Sequence, residues 1–360
     1  MTIQTMQVNH RFITLARESR EMTQSALARA TGISQGTLSK IEGGMLPCPS
    51  ESLEAVSKAL EYPVQFFYAQ ELVHGIGTEA HHCLYRRRAS LPAKALKRIE
   101  AEINIKRIHL TRMLTSVDMS AAASIPRFDP AEFDNNIERI AMSVRAYWQM
   151  PSGPVENVTE LIERAGGIVI PHDFGTVKVD ATTLNILGLP PLFFVSRTLT
   201  GDRLRFTLAH ELGHAVMHSI PHPRIEDEAD RFAAEFLMPA ADIGPSLSRL
   251  DLAKAARLKP FWKASMAAII YRAHELGKIT DNQYRYLFYQ LSSAGFRAAE
   301  PAELEIAVER PNVHSSLIEF FKKDLGYTFE DLKSLFQIND SDFSRLYAPT
   351  STSTRLRSVK

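Results

Sequence analysis

Two cysteines, Cys48 and Cys83, are all that the 360 residues contain. That excludes a disulfide framework and fits a reducing compartment. An excess of charge of either sign is missing as well: 42 Lys and Arg face 41 Asp and Glu, for a net charge of +1. Apolar residues reach 45% of the chain, yet no unbroken run is long enough to cross a bilayer, so no membrane partner is expected. Met1–His10 holds no Lys or Arg, whereas an export signal would begin with a basic stretch. No segment repeats another. What remains is a soluble, cytoplasmic protein, long enough for two or three domains.

The chemistry begins at Arg205-Phe206-Thr207-Leu208-Ala209-His210-Glu211-Leu212-Gly213-His214-Ala215-Val216-Met217-His218. Histidines four apart share one helix face and can present two imidazole nitrogens to a single metal ion. Glu211, beside the first of them, can then act on a water that the metal activates. The blander reading is a pair of histidines that merely decorate an amphipathic helix. The apolar flanks argue against it, because Phe206, Leu208, Ala209, Leu212, Ala215 and Val216 predict a buried helix. Two histidines and a glutamate are costly there unless a metal satisfies them.

A metal held by two histidines needs a third protein ligand and an open fourth position for catalysis. Twelve residues beyond His214 the chain reads Glu226-Asp227-Glu228-Ala229-Asp230-Arg231-Phe232-Ala233-Ala234-Glu235-Phe236-Leu237-Met238-Pro239. Ala229, Phe232, Ala233, Phe236 and Leu237 give it helical periodicity, and Pro239 ends it. Glu226 and Asp230 are four apart and point the same way. Glu226 would complete a His-His-Glu site, and Asp230 could orient a ligating histidine through its other ring nitrogen. Glu228 is the alternative ligand, but only Glu226 leaves Asp230 on its own face. All three carboxylates could instead be an acidic first turn that offsets the helix dipole.

These residues resemble the ImmA/IrrE metallopeptidases: His210-Glu211-Leu212-Gly213-His214, then Glu226-x-x-Ala229-Asp230-x-Phe232-Ala233-Ala234, then Phe236-Leu237-Met238-Pro239. Trp262–Ala273 is similar to the segment that follows the active site in that family. Phe236 stands where leucine is common, which leaves the chemistry untouched. The resemblance covers roughly residues 130–300 and implies a zincin-like domain. It implies that His210, His214 and Glu226 bind one zinc per chain, with manganese or iron as alternatives, and that Glu211 is the general base. It also implies a protein substrate, since the family's proteolytic members cut transcriptional repressors.

A second anchor lies near the amino terminus. Thr23 and Ser34 are placed as N-caps of two short helices. Gly32 permits the turn between them, and Gly43-Gly44 ends the second. Helix, short glycine turn, helix is the helix-turn-helix signature, and the whole, ending near Tyr68, resembles the XRE class of DNA-binding domains. Ser34–Glu42 would be the recognition helix, with Gln35, Thr37 and Lys40 approaching base edges and Gln24 holding phosphate. Residues 1–70 hold six basic and six acidic side chains, so the positive field of a strong DNA binder is absent and a protein-docking domain is the competing reading.

Positive charge appears next. Leu84–Arg112 carries nine Lys and Arg against Glu100 and Glu102, with Leu96, Ile99, Ile103, Leu110 and Leu114 as a helical stripe after Pro92. A solvated connecting helix and a phosphate-contacting surface are both open. His81-His82-Cys83 lacks a partner cysteine pair and is read as a loop. In the second half, helices are predicted over 137–148 and 158–165, and strands over 167–170, 180–185 and 192–195. Leu192–Ser196 is the candidate edge strand for holding a substrate backbone. Helical structure resumes at Pro260. Residues 300–342 carry ten acidic and four basic side chains, with helices near 315–324 and 328–336 that either pack on the basic helix or stay solvated. Residues 350–355 read as a frayed tail.

The expected architecture is mainly α with a small β-sheet, an α+β chain. Its parts are an all-α helix-turn-helix at 1–70, a basic helical linker at 71–125, a zinc peptidase domain at 126–299, an acidic helical element at 300–347 and a tail at 348–360. The expected function is a DNA-bound regulator fused to a zinc endopeptidase that cleaves a repressor, latent until triggered. The alternative is a non-cleaving regulator, in a toxin–antitoxin or phage-derived switch, whose zinc domain is a sensor or scaffold. Glu211 favours the enzyme, since a scaffold has no use for a base. His218, His222, Tyr271 and Arg272 are candidates for the oxyanion donor. On a helix, His218 lies about 12 Å along the axis from His210 and cannot share its metal with both histidines. A homodimer would suit paired DNA half-sites.

Overall fold

The computed structural model describes residues 7–73, 91–117, 121, 123–218, 220 and 222–347. The His81-His82-Cys83 stretch, the glycine loop at 75–77, Arg86–Arg88 and the tail at 350–355 lie outside the described residues. The chain is mainly helical with one small sheet. In order come α1 (His10–Ser19), α2 (Gln24–Thr31), α3 (Gln35–Glu42), α4 (Ser50–Leu60), α5 (Ala93–Leu114), α6 (Ile137–Tyr147) and α7 (Val158–Arg164). Then follow β1 (Ile168–His172), β2 (Ala181–Leu184), β3 (Leu192–Ser196), α8 (Gly201–Met217), α9 (Ile225–Leu237), α10 (Ala240–Ile243) and α11 (Leu252–Trp262). The last are α12 (Met266–Glu275), α13 (Asp281–Ser293), α14 (Val313–Lys323), α15 (Phe329–Phe336) and α16 (Asp340–Tyr347). Among the described residues no helix is long and apolar enough to cross a membrane.

Contacts divide the chain into two units. The first gathers the described parts of 1–73, 92–116 and 320–360. Its helices start where the capping residues stand: Thr23 accepts from the Ala26 N–H and Ser34 from the Thr37 N–H. Gly32 ends α2 at φ +74°, a left-handed geometry that glycine adopts without strain. Phe12, Leu15, Leu27, Leu38, Ile41, Leu53, Val56, Phe66 and Phe67 form the core. A buried ion pair crosses it, with the Arg17 guanidinium donating to both oxygens of Glu42 at 2.6 and 3.0 Å.

The basic helix α5 is packed rather than solvated over much of its length. It is buried continuously from Ile99 through Leu110, and several of its cations pair within this unit. Lys97 meets Glu18 at 3.2 Å, Arg98 meets Glu21 at 3.1 Å and Glu102 at 2.9 Å, and Arg112 meets Glu71 at 2.5 Å. The carboxy-terminal helices pack on it. Arg112 donates to the Leu335 carbonyl and to Gln337, His109 stacks on Phe336 at 4.6 Å, and Arg345 reaches Glu102 at 2.5 Å. Helix α16 was not foreseen; its start is fixed by Asn339, whose side chain accepts the Asp342 N–H, and it buries Phe343 and Leu346.

The second unit holds the described residues of 74–91 and 117–319. Its sheet runs β1-β3-β2, with β1 parallel and β2 antiparallel to β3. The strand proposed for substrate, Leu192–Ser196, is therefore central. Both of its edges already carry ladder hydrogen bonds, so it cannot receive a further strand. The outer strands of the sheet are β1 and β2. Beyond the sheet, α11 begins at Leu252, earlier than the predicted restart at Pro260. Asp251 caps it by accepting from the Lys254 N–H, and Pro260 falls in its last turn, where it forfeits one backbone bond.

Candidate metal centre

Helix α8 is buried along most of its length through Leu204, Leu208, Ala209, Leu212, Ala215 and Val216. It packs closely on α9, which buries Ala229, Phe232, Ala233, Phe236 and Leu237. The approach depends on Gly213: a Cβ there would stand 3.0 Å from Phe232 Cδ1 and 3.2 Å from Phe232 Cβ. Buried arginines secure the ends. Arg145 of α6 donates to the Phe236 carbonyl at 2.7 Å, where the α9 dipole is negative. Arg205 of α8 pairs with Glu309, whose carboxylate also accepts the Val158 and Thr159 N–H groups at the start of α7.

This packing brings His210, His214 and Glu226 together, with their ligating atoms all within 4.8 Å of one another. The Nε2 atoms of His210 and His214 are 3.1 Å apart. Glu226 Oε1 lies 3.6 Å from His214 Nε2, and Oε2 lies 3.9 Å from His210 Nε2. Arms of 2.0–2.1 Å in a tetrahedral site put its ligand atoms roughly 3.3–3.4 Å apart, so the three donors fit a small divalent cation. Of the two glutamates left open, Glu226 is the one beside His210 and His214, and Glu228 lies with His218.

Asp230 stands where the helical spacing puts it, with Oδ1 2.8 Å from His210 Nδ1. Burial works against a charged His210 ring, but the Asp230 hydrogen bond and the charges of Glu211, Asp230 and Glu226 outweigh it and raise its pKa above the ordinary imidazole range. The pocket thus attracts positive charge. Glu211 is buried, and Thr183 of β2 donates its hydroxyl to Glu211 Oε2 at 2.6 Å. Sequence reasoning missed Thr183, since nothing in the β2 pattern marks one threonine over its neighbour. Asp230 also lines a cleft of about 1060 Å³ together with Phe206, Tyr271 and Phe288.

The four candidates for an oxyanion donor separate clearly. Arg272 is fully buried and directs its guanidinium to Glu235, Glu275 and the Met238 carbonyl. His218 is the cap residue just past α8, with extended backbone, and is buried against His214. His222 lies 3.5 Å from Glu228. Tyr271 alone is exposed to the cleft.

In the first unit, Gln35, Thr37 and Lys40 are exposed on α3. Gln24 is half-buried and donates to Glu42 at 2.8 Å while accepting from Gln35 at 3.1 Å. Its amide thereby couples the start of α2 to both ends of α3.

Two family models match this chain. Residues 162–279 match the peptidase M78 model, described as an IrrE N-terminal-like domain, and residues 13–67 match a helix-turn-helix model. Among curated proteins, none matches. The order is the one the resemblance implied, a helix-turn-helix of a DNA-binding class followed by an IrrE-like domain of a peptidase family.

Proposed function

We propose that this protein is a DNA-binding transcription regulator whose second unit is a zinc-dependent endopeptidase acting on a regulator protein. The observation that carries the reading is the convergence of His210, His214 and Glu226 beside a buried Glu211. His210, His214 and Glu226 would hold the ion. When bound, it supplies Lewis acidity toward water and toward a peptide carbonyl. Glu211 takes the proton of the attacking water and passes it to the leaving amine. Thr183 holds one oxygen of that carboxylate. Tyr271 is the candidate donor for the oxyanion. At the other end, Gln35, Thr37 and Lys40 would meet base edges, and Gln24 would steady Gln35 against Glu42 rather than hold phosphate. A dimer would suit paired half-sites, as is common for helix-turn-helix proteins, and the regulator would work in the cytoplasm, beside its DNA.

Elemental analysis of the wild type, Glu226→Gln and Glu211→Gln tests the site. One zinc per chain is expected in the wild type and in Glu211→Gln, with loss in Glu226→Gln. Comparing new protein N-termini in cells that express wild type or Glu211→Gln then tests catalysis. Fragments specific to the wild type are the expected result. Bound zinc with identical N-termini under inducing and resting conditions would leave a non-cleaving regulator, and a folded wild type that takes up no zinc would end the enzyme reading.

A further inference from the structure

Next to the three-residue group lies a second one that no part of this function uses. His218, His222 and Glu228 also bring their ligating atoms within 4.8 Å of one another. His218 Nε2 is 3.2 Å and His222 Nε2 is 3.5 Å from Glu228 Oε2, spacings that suit a second metal ion. The deciding contact is on the other side of His218. Its Nδ1 lies 2.8 Å from Nδ1 of His214, and both rings are buried.

A neutral imidazole has one N–H and one lone pair, so the protons can be counted along this chain of rings. For His214 to offer its Nε2 lone pair to an ion, its proton must sit on Nδ1. That N–H points at His218 Nδ1, which must then be the acceptor. The His218 proton is thereby placed on Nε2, where it donates to the Glu228 carboxylate. A His218 Nε2 that carries a proton cannot ligate a second ion. The two metal groups are thus mutually exclusive while the Nδ1–Nδ1 hydrogen bond stands.

We infer that Glu228 and His218 form a relay that fixes the tautomer and orientation of His214, and that they are positioning residues rather than a second metal site. This rests on His210, His214 and Glu226 being the metal site. Each ligand histidine then has a carboxylate behind it: Asp230 directly on His210, and Glu228 on His214 through one intervening ring. Glu228 is itself buried, and its carboxylate is met by Arg224 at 3.6 Å and His222 at 3.5 Å, which offset the cost of desolvating it.

The test uses the full-length chain loaded with zinc. Nitrogen-15 spectra of its histidine rings should show His214 protonated on Nδ1 and His218 on Nε2. Chelator competition should give one zinc per chain, with affinity lowered on the order of 10- to 100-fold in Glu228→Ala. Glu228→Gln should recover most of that loss, because its amide oxygen still accepts from His218. His222→Asn should bind zinc as the wild type does. Melting curves identify any variant that fails to fold, and Glu228→Gln with the ring spectra keeps the test decisive in that event. Two zinc ions in the wild type, one of them lost in His222→Asn, would overturn the relay in favour of a second metal site. Zinc uptake that Glu228→Ala leaves unchanged, with the same ring protonation, would overturn the relay alone. No uptake by the wild type would remove the metal reading first, and the relay with it.

Discussion

Thr183 is a small residue with a large consequence, because its hydroxyl is the contact that ties β2 to the carboxylate proposed to move protons. A hydrogen bond to a charged group is worth about 1.5–3 kcal/mol, and 1.4 kcal/mol is about a factor of ten in rate. Thr183→Val keeps the shape and removes the donor. Turnover should fall roughly tenfold or more while zinc content stays at the wild-type level, as measured by cleavage rate and elemental analysis on one preparation. Zinc loss in that variant would mean that Thr183 supports the fold rather than Glu211. At this scale His210, Glu211, His214 and Glu226 were legible because an i, i+4 pair on an apolar helix leaves few alternatives. Thr183 and the His214–His218 contact were not, since hydroxyl placement across a sheet and ring orientation depend on packing.

Helices α8 and α9 meet over Gly213, so their separation sets the distance from Glu226 to the two histidines. Gly213→Ala gains helix propensity of about 1 kcal/mol, but its methyl would press on Phe232, and overpacking costs about 1–3 kcal/mol. A net loss of up to about 2 kcal/mol by chemical denaturation is expected, together with weaker zinc binding. Unchanged zinc affinity would show that the spacing has slack.

The start of α8 carries a pH dependence. Asp202 is half-buried but paired with Lys259 and hydrogen-bonded by Thr200, which together hold its pKa below the usual carboxylate value despite partial desolvation. A depressed folded-state pKa gives stability that is present above the unfolded value of 3.8 and is lost as pH falls through the folded value. Asp202→Asn should therefore melt below the wild type at pH 7, by about 1–3 kcal/mol. The gap should close as the pH is taken below 3.8. A gap that persists in acid would assign the effect to packing.

Over the whole molecule, the first unit is assembled from three stretches far apart in sequence. Arg20 of α1 pairs with Asp342 of α16 at 2.5 Å, and Arg345 of α16 pairs with Glu102 of α5. The DNA-binding helices thus share a core and ion pairs with the carboxy-terminal end. A chain ending at residue 319 should expose α5, lower the melting temperature of the first unit and weaken DNA binding, while zinc content stays unchanged. Circular dichroism, a DNA-binding titration and elemental analysis check the three parts. Full DNA affinity in the shortened chain would show that the packing of α15 and α16 is dispensable.

What the sequence determined by itself was local. Caps at Thr23 and Ser34, the turn at Gly32, the two histidines on α8 and the Glu226–Asp230 spacing on α9 are all set within a few residues, where backbone geometry leaves little choice. Tertiary structure decided the rest. It put β3 in the centre of the sheet, sent the cations of α5 to Glu18, Glu21 and Glu71, and brought 320–347 onto α5. It also laid Glu228 against His218 and not against the metal group. Each of those outcomes turns on which buried surfaces and opposite charges meet across the chain, and no short-range pattern records that.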